Sequence, residues 1–181
     1  MSTAAALVPL GRAILRHTAK EAARRAATAL PRSRGTWAGS YVAEKVRGGW
    51  RVANAPDTPC RLAVDGAGID YAFGTELFFT DGGSIPKPVQ GVKHLRLAPD
   101  SFPKTYFLHD WCYAHAAVLA RKTGGDGPWL CLPVTRLEAD TLLYCGLVAE
   151  GATALEARLV FRAVRMFGRR AWAKCRKKGG A

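Results

Sequence analysis

The chain has 181 residues, 49% of them hydrophobic, and a formal net charge of +13. That length fits one domain with ordinary core burial, and the apolar content excludes a disordered composition. No apolar run reaches the roughly eighteen residues that a membrane-spanning helix needs, so no transmembrane segment is expected.

The charge is uneven along the chain. Residues 1–35 carry seven Lys/Arg and one acid, and residues 158–178 carry nine Lys/Arg and no acid, which leaves the rest at −2. Basic ends of this kind suit a polyanionic neighbour, nucleic acid or an anionic lipid surface, although solvated helix faces have the same composition.

Residues 4–30 read as one amphipathic helix, with Arg12, Arg16, Lys20 and Arg24 every four residues, and Pro31 and Gly35 end it. Such a helix can lie on a membrane surface, dock on a partner, or be a frayed arm. Its apolar runs are too short and too often broken by arginine for an ordinary secretion signal. The expected organisation is therefore a basic N-terminal arm over residues 1–35 and one α+β domain over 36–181, closing on a basic helix.

The next segment has strand-like runs at Trp50–Val52, Cys60–Val64, Ile69–Phe73 and Leu77–Phe79, with a turn at Asp65–Gly68. They predict a short antiparallel β-meander. Residues 80–104 are a Gly/Pro-rich connection, and loops of that length in compact domains are usually functional. Helices are expected over about 105–121, 134–149 and 153–174, a three-helix core. In the last, Arg158, Arg162, Arg165 and Arg169 align in one stripe opposite Val160, Ala163, Val164 and Phe167.

Five cysteines (Cys60, Cys112, Cys131, Cys145 and Cys175) form no CxxC pair, so zinc-ribbon spacing is absent and most thiols are expected to be free. Cys112 and Cys145, on successive helices, are the pair best placed for a bridge.

The chemistry concentrates in Leu108-His109-Asp110-Trp111-Cys112-Tyr113, followed by Glu138-Ala139-Asp140. His109 and Tyr113 are four apart and share a helix face, while Asp110 is rotated by about 100° toward a neighbouring site. If the two helices pack antiparallel, Asp140 can accept a hydrogen bond from the His109 ring. The other ring nitrogen is then available as a base toward water, and Asp110 offers a hard anionic oxygen to a calcium ion. The structural alternative is a polar cluster in which His-Asp at a helix start only caps and orders the helix. His94 and His115 read as ordinary histidines.

HDWCY resembles the HDxCY helix motif of secreted phospholipases A2 and the HDxxY motif of parvovirus capsid phospholipase domains, over residues 80–150. The resemblance implies a phospholipase A2-like core with His109 activating water, Asp140 orienting His109 and Tyr113 supporting Asp140. It implies Ca²⁺ held by Asp110 with carbonyls of Gly82 and Gly83. The chain departs from that pattern in having Tyr106-Phe107 where a double cysteine stands, Ala139 before Asp140, and Gly83 as far as 26 residues before His109. A broader likeness, over residues 45–172, is to an uncharacterised bacteriophage and prophage family with TDxxSIP, HDxxY and EAD in that order. It implies that Thr80, Asp81, Ser84 and Pro86 belong to the same site, with Asp81 a further metal ligand or a turn former.

Together these imply a calcium-assisted, phage-associated, phospholipase A2-like hydrolase with a His/Asp dyad. It would be virion-associated or at the host-cell cytoplasm or membrane surface, with an anionic phospholipid surface as partner. The alternatives are a non-enzymatic phage structural or assembly component, with basic ends toward nucleic acid or a phage structural protein, and a metal-assisted hydrolase of another substrate such as cell wall.

Overall fold

The computed structural model describes residues 35–81, 98 and 100–178. Residues 1–34 of the N-terminal arm, Gly82, Gly83, Ser84, Pro86 and His94 lie outside these residues.

The first strands are β1 (Gly35–Ala38), β2 (Tyr41–Val46), β3 (Gly49–Asn54), β4 (Arg61–Val64), β5 (Ile69–Ala72) and β6 (Phe78–Thr80). After helix α1 (Pro103–His115) come β7 (Ala117–Lys122) and β8 (Leu130–Pro133), then α2 (Arg136–Ala149), α3 (Ala154–Phe167) and α4 (Arg169–Lys178). The fold is α+β. The named strands all pair antiparallel, in a five-stranded sheet ordered β1-β4-β5-β7-β8 and a three-stranded sheet ordered β2-β3-β6. Alternation decides the faces of the smaller sheet: Val52 and Thr80 point inward and are buried, while Arg51 and Phe79 between them are exposed.

α1 is buried almost throughout, at Thr105–His109 and Trp111–Tyr113, so its sequence lacks an amphipathic stripe. It packs on α2, on α4 and on strands β6 and β7. Its N-cap residue Phe102 offers no side-chain cap. Glu150, just beyond α2, caps it from across the interface, accepting hydrogen bonds from the backbone N–H of Lys104 (3.2 Å) and Thr105 (3.1 Å) and from the Thr105 hydroxyl (2.8 Å). α2 and α3 cap themselves with reciprocal Thr-x-x-Glu boxes, Thr135 with Glu138 and Thr153 with Glu156. α1 and α2 come together at Gly146, where an added Cβ would lie 2.9 Å from the Thr105 hydroxyl oxygen. The same glycine's carbonyl accepts a hydrogen bond from the Trp37 indole (3.1 Å).

Three expectations need correction. The first helix ends at His115, not near residue 121, because Ala116 adopts a left-handed conformation (φ 50°) and the chain leaves as β7. Residues 117–133 thus form a hairpin that extends the large sheet, while the antiparallel strands expected before the helices are present and are shared between the two sheets. The last helix breaks at Gly168 into α3 and α4, so four helices stand among the described residues where three were expected. Gly168 sits where a Cβ would be 2.6 Å from the Tyr113 hydroxyl oxygen. The Cys112–Cys145 bridge is absent: Cys60, Cys112, Cys131 and Cys145 form no disulfide. No described helix is long and apolar enough to cross a membrane.

Candidate functional site

α1 and α2 bring the expected residues together. The His109 Nε2 atom lies 3.1 Å from Asp140 Oδ1, and the Tyr113 hydroxyl donates to the same oxygen at 2.7 Å. The His109 and Tyr113 rings, one helical turn apart, lie with centroids 4.2 Å apart, and Trp172 of α4 meets Tyr113 edge-on at 5.0 Å. Asp140 is fully buried and His109 is 3% exposed.

Asp140 has a further partner that the sequence reading placed elsewhere. Arg165 of α3 donates from Nη1 to Asp140 Oδ2 at 2.7 Å. It stands in the basic stripe, yet it is only partly exposed and turned inward, whereas Arg158, Arg162 and Arg169 are exposed. Arg136, one turn before Asp140 on α2, lies 3.9 Å from Oδ2 and donates to the Val164 and Arg165 carbonyls at 3.3 and 3.1 Å. The spacing of Arg136 and Asp140 was a readable local signal, since residues four apart share a helix face. Nothing local signals Arg165, whose partner is 25 residues away.

The far edge of the imidazole meets the second carboxylate. His109 Nδ1 is 3.7 Å from Asp110 Oδ1, and the Thr80 hydroxyl, at the end of β6, donates to Asp110 Oδ2. Thr80, which the TDxxSIP likeness implies is a site residue, is thus in contact with Asp110. Asp81 follows on the exposed side of that strand end.

The electrostatics follow from this packing. Burial alone would lower the His109 pKa, but hydrogen bonds and charge from Asp110 and Asp140 outweigh it and raise the value. Burial would raise Asp140, and His109, Arg165 and Tyr113 together hold it below the usual carboxylate value. Tyr113 is pushed up by burial and by the Asp140 charge, so its hydroxyl stays a donor.

For calcium, the described residues offer a partial set of hard oxygens at the imidazole's outer edge. Asp110 and the Thr80 hydroxyl are together, and Asp81 is the next residue after Thr80. Ca²⁺ takes about six to eight oxygens, so this set fits one side of a coordination shell. The carbonyls of Gly82 and Gly83 that would add to it lie outside the described residues. No group of three or more His, Cys, Asp or Glu able to hold a metal occurs among the described residues. His115 is exposed and stacks on Trp111, with centroids 3.8 Å apart, away from the dyad.

No family model matches the chain, and neither does any curated protein or solved structure.

Proposed function

We propose that the protein is a phospholipase A2-like ester hydrolase of a bacteriophage or prophage, with His109 as general base. The observation that carries this reading is the buried pairing of His109 Nε2 with Asp140 Oδ1 at 3.1 Å, with Tyr113 on the same oxygen. That pairing keeps a proton on Nε2 and fixes the ring, so that Nδ1 is the atom able to take a proton from water as it attacks an ester carbonyl. A Ca²⁺ ion held by Asp110, with Asp81 and the Gly82 and Gly83 carbonyls, would supply positive charge to the carbonyl oxygen as it becomes an oxyanion. Thr80 orients the Asp110 carboxylate toward that role.

An anionic phospholipid surface is the partner in this reading. Support comes from the exposed Arg158 and Arg162 of α3 and Arg169 of α4, and from the exposed Leu77, just before β6, and Phe79 on β6.

One observation favours a second reading. His109 lies between Asp110 and Asp140 and is almost completely buried. An imidazolium held by two carboxylates serves a structural core, as in a non-enzymatic assembly component, as well as it serves catalysis.

The deciding experiment is release of fatty acid from anionic phospholipid vesicles with and without Ca²⁺. Wild type should release it in a calcium-dependent manner, and His109→Ala should lose about 10²–10⁴-fold of the rate. Equal release by the two proteins, or none by wild type, would reject the hydrolase in favour of the structural reading.

A further inference from the structure

We propose that Arg165 is a positioning residue of the site, holding the Asp140 carboxylate at the angle that keeps a proton on His109 Nε2. The Asp140 carboxylate divides its work between its two oxygens. Oδ1 receives His109 Nε2 and the Tyr113 hydroxyl, and Oδ2 receives Arg165 Nη1 at 2.7 Å. Without Arg165, Oδ2 of a fully buried carboxylate would face Arg136 at 3.9 Å, too far for a hydrogen bond. Rotation of the carboxylate toward Arg136 would then draw Oδ1 off the imidazole.

Arg165 is itself held at two points by α2. Arg136 Nη1 donates to the Arg165 carbonyl at 3.1 Å and to that of Val164 at 3.3 Å, while Asp140, one turn further along α2, takes the Arg165 guanidinium. Those carbonyls belong to the last turn of α3, whose negative dipole end favours a nearby cation, and that of Val164 also accepts the Gly168 N–H at 2.8 Å. Backbone and side chain of one residue are thus gripped by residues four apart on the neighbouring helix. Such a closed loop fixes the reach of Arg165 to Asp140 better than a single contact from a long side chain. The grip distinguishes Arg165 from Arg158, Arg162 and Arg169, the exposed members of its stripe.

The test has a structural arm and a kinetic arm, and only the kinetic arm rests on the hydrolase reading. In the structural arm, ¹⁵N-histidine NMR of the full chain reads the His109 Nε2–H resonance and its exchange with water. Wild type should show a downfield, slowly exchanging Nε2–H. Arg165→Ala should lose the signal or speed its exchange at least about tenfold, Arg165→Lys should restore part of the protection, and Arg162→Ala should leave it unchanged. An Arg165→Ala protein with the wild-type resonance and exchange rate overturns the proposal. If that variant does not fold, Arg165→Gln and Arg136→Gln carry the same comparison, and wild-type protection in both overturns it equally. In the kinetic arm, Arg165→Ala should lower kcat about 10–100-fold with KM nearly constant, and Arg165→Lys should recover part of it. A lost Nε2–H signal in a protein whose wild type hydrolyses no ester would support the positioning role and reject the hydrolase.

Discussion

The two carboxylates that flank His109 are set in contrasting ways. Asp140 is 0% exposed, sits mid-interface between α1, α2 and α3, and takes hydrogen bonds from His109, Tyr113 and Arg165. Asp110 has a side chain 13% exposed, lies where the three-stranded sheet ends against α1, and takes its hydrogen bond from Thr80. One side of the imidazole is therefore locked by helix packing. The other looks toward a strand end, at Thr80. In the proposed hydrolase, a base that keeps one nitrogen protonated and exchanges protons at the other would use this asymmetry.

Removing each acid in turn tests the contrast most severely. Asp140→Ala leaves Arg165 and the His109 ring without their buried acceptor and should cost about 3–5 kcal/mol of stability, read from urea unfolding. Asp110→Ala removes one hydrogen-bonded partner near the surface and should cost about 0.5–1.5 kcal/mol. Comparable losses in the two variants would break the comparison.

A smaller effect is expected where the site's frame is tied down. Glu150→Ala leaves the first N–H groups of α1 without acceptors and should cost about 1–2 kcal/mol, as loss of an N-cap does. Because α1 carries His109 four residues beyond Thr105, the same change should also speed exchange at the His109 ring. Wild-type unfolding midpoints in this variant would show that Glu150 adds nothing to the frame.

The dependence on pH sharpens the comparison further. Asp140 titrates below its ordinary 3.8, so its contribution to stability is present above that value and is lost as pH falls through the folded pKa. His109 titrates above its ordinary 6.5, so its contribution is complete below 6.5 and fades as pH rises through the folded pKa. Unfolding midpoints measured across both windows should therefore fall at each end. Asp140→Asn should flatten the acid limb and His109→Gln the upper limb. A limb of unchanged slope in its variant would remove that group from the account.

The smallest effect concerns Thr80. Thr80→Val keeps the shape and deletes the donor to Asp110, which should cost about 0.5–1.5 kcal/mol and leave the His109 Nε2–H resonance in place. Movement of that resonance would mean that the two sides of the ring are coupled.

Much of the dyad was legible because its geometry is local. His109 and Tyr113 share a face by their spacing, and one antiparallel packing of neighbouring helices suffices to bring in Asp140. Arg165 was not legible for the opposite reason. At 100° per residue it falls in register with Arg158, Arg162 and Arg169, and only the packing of α3 on α2 separates a gripped arginine from solvated ones. Fold class followed from strand-like runs preceding helical ones. The hairpin of β7 and β8 did not, since Ala117-Val118-Leu119-Ala120 suits a buried helix as well as a strand. The residue that decides between them, Ala116 in a left-handed conformation, is of a type that gives no warning of it.

The contact between Thr105 and Gly146 acts as a gauge block for the whole site. A hydrogen atom at position 146 sets the gap between α1 and α2, because a methyl there would come within 2.9 Å of the Thr105 hydroxyl oxygen. The gap lies about 9 Å along α2 from Asp140 and about 6 Å along α1 from His109, less than two helical turns in each case. Widening it by a methyl radius would be felt as an error in the calibration of a 3.1 Å contact that neither residue touches. In related chains that keep the histidine and the aspartate, the volumes at positions 105 and 146 should therefore trade against each other, one growing only where the other shrinks.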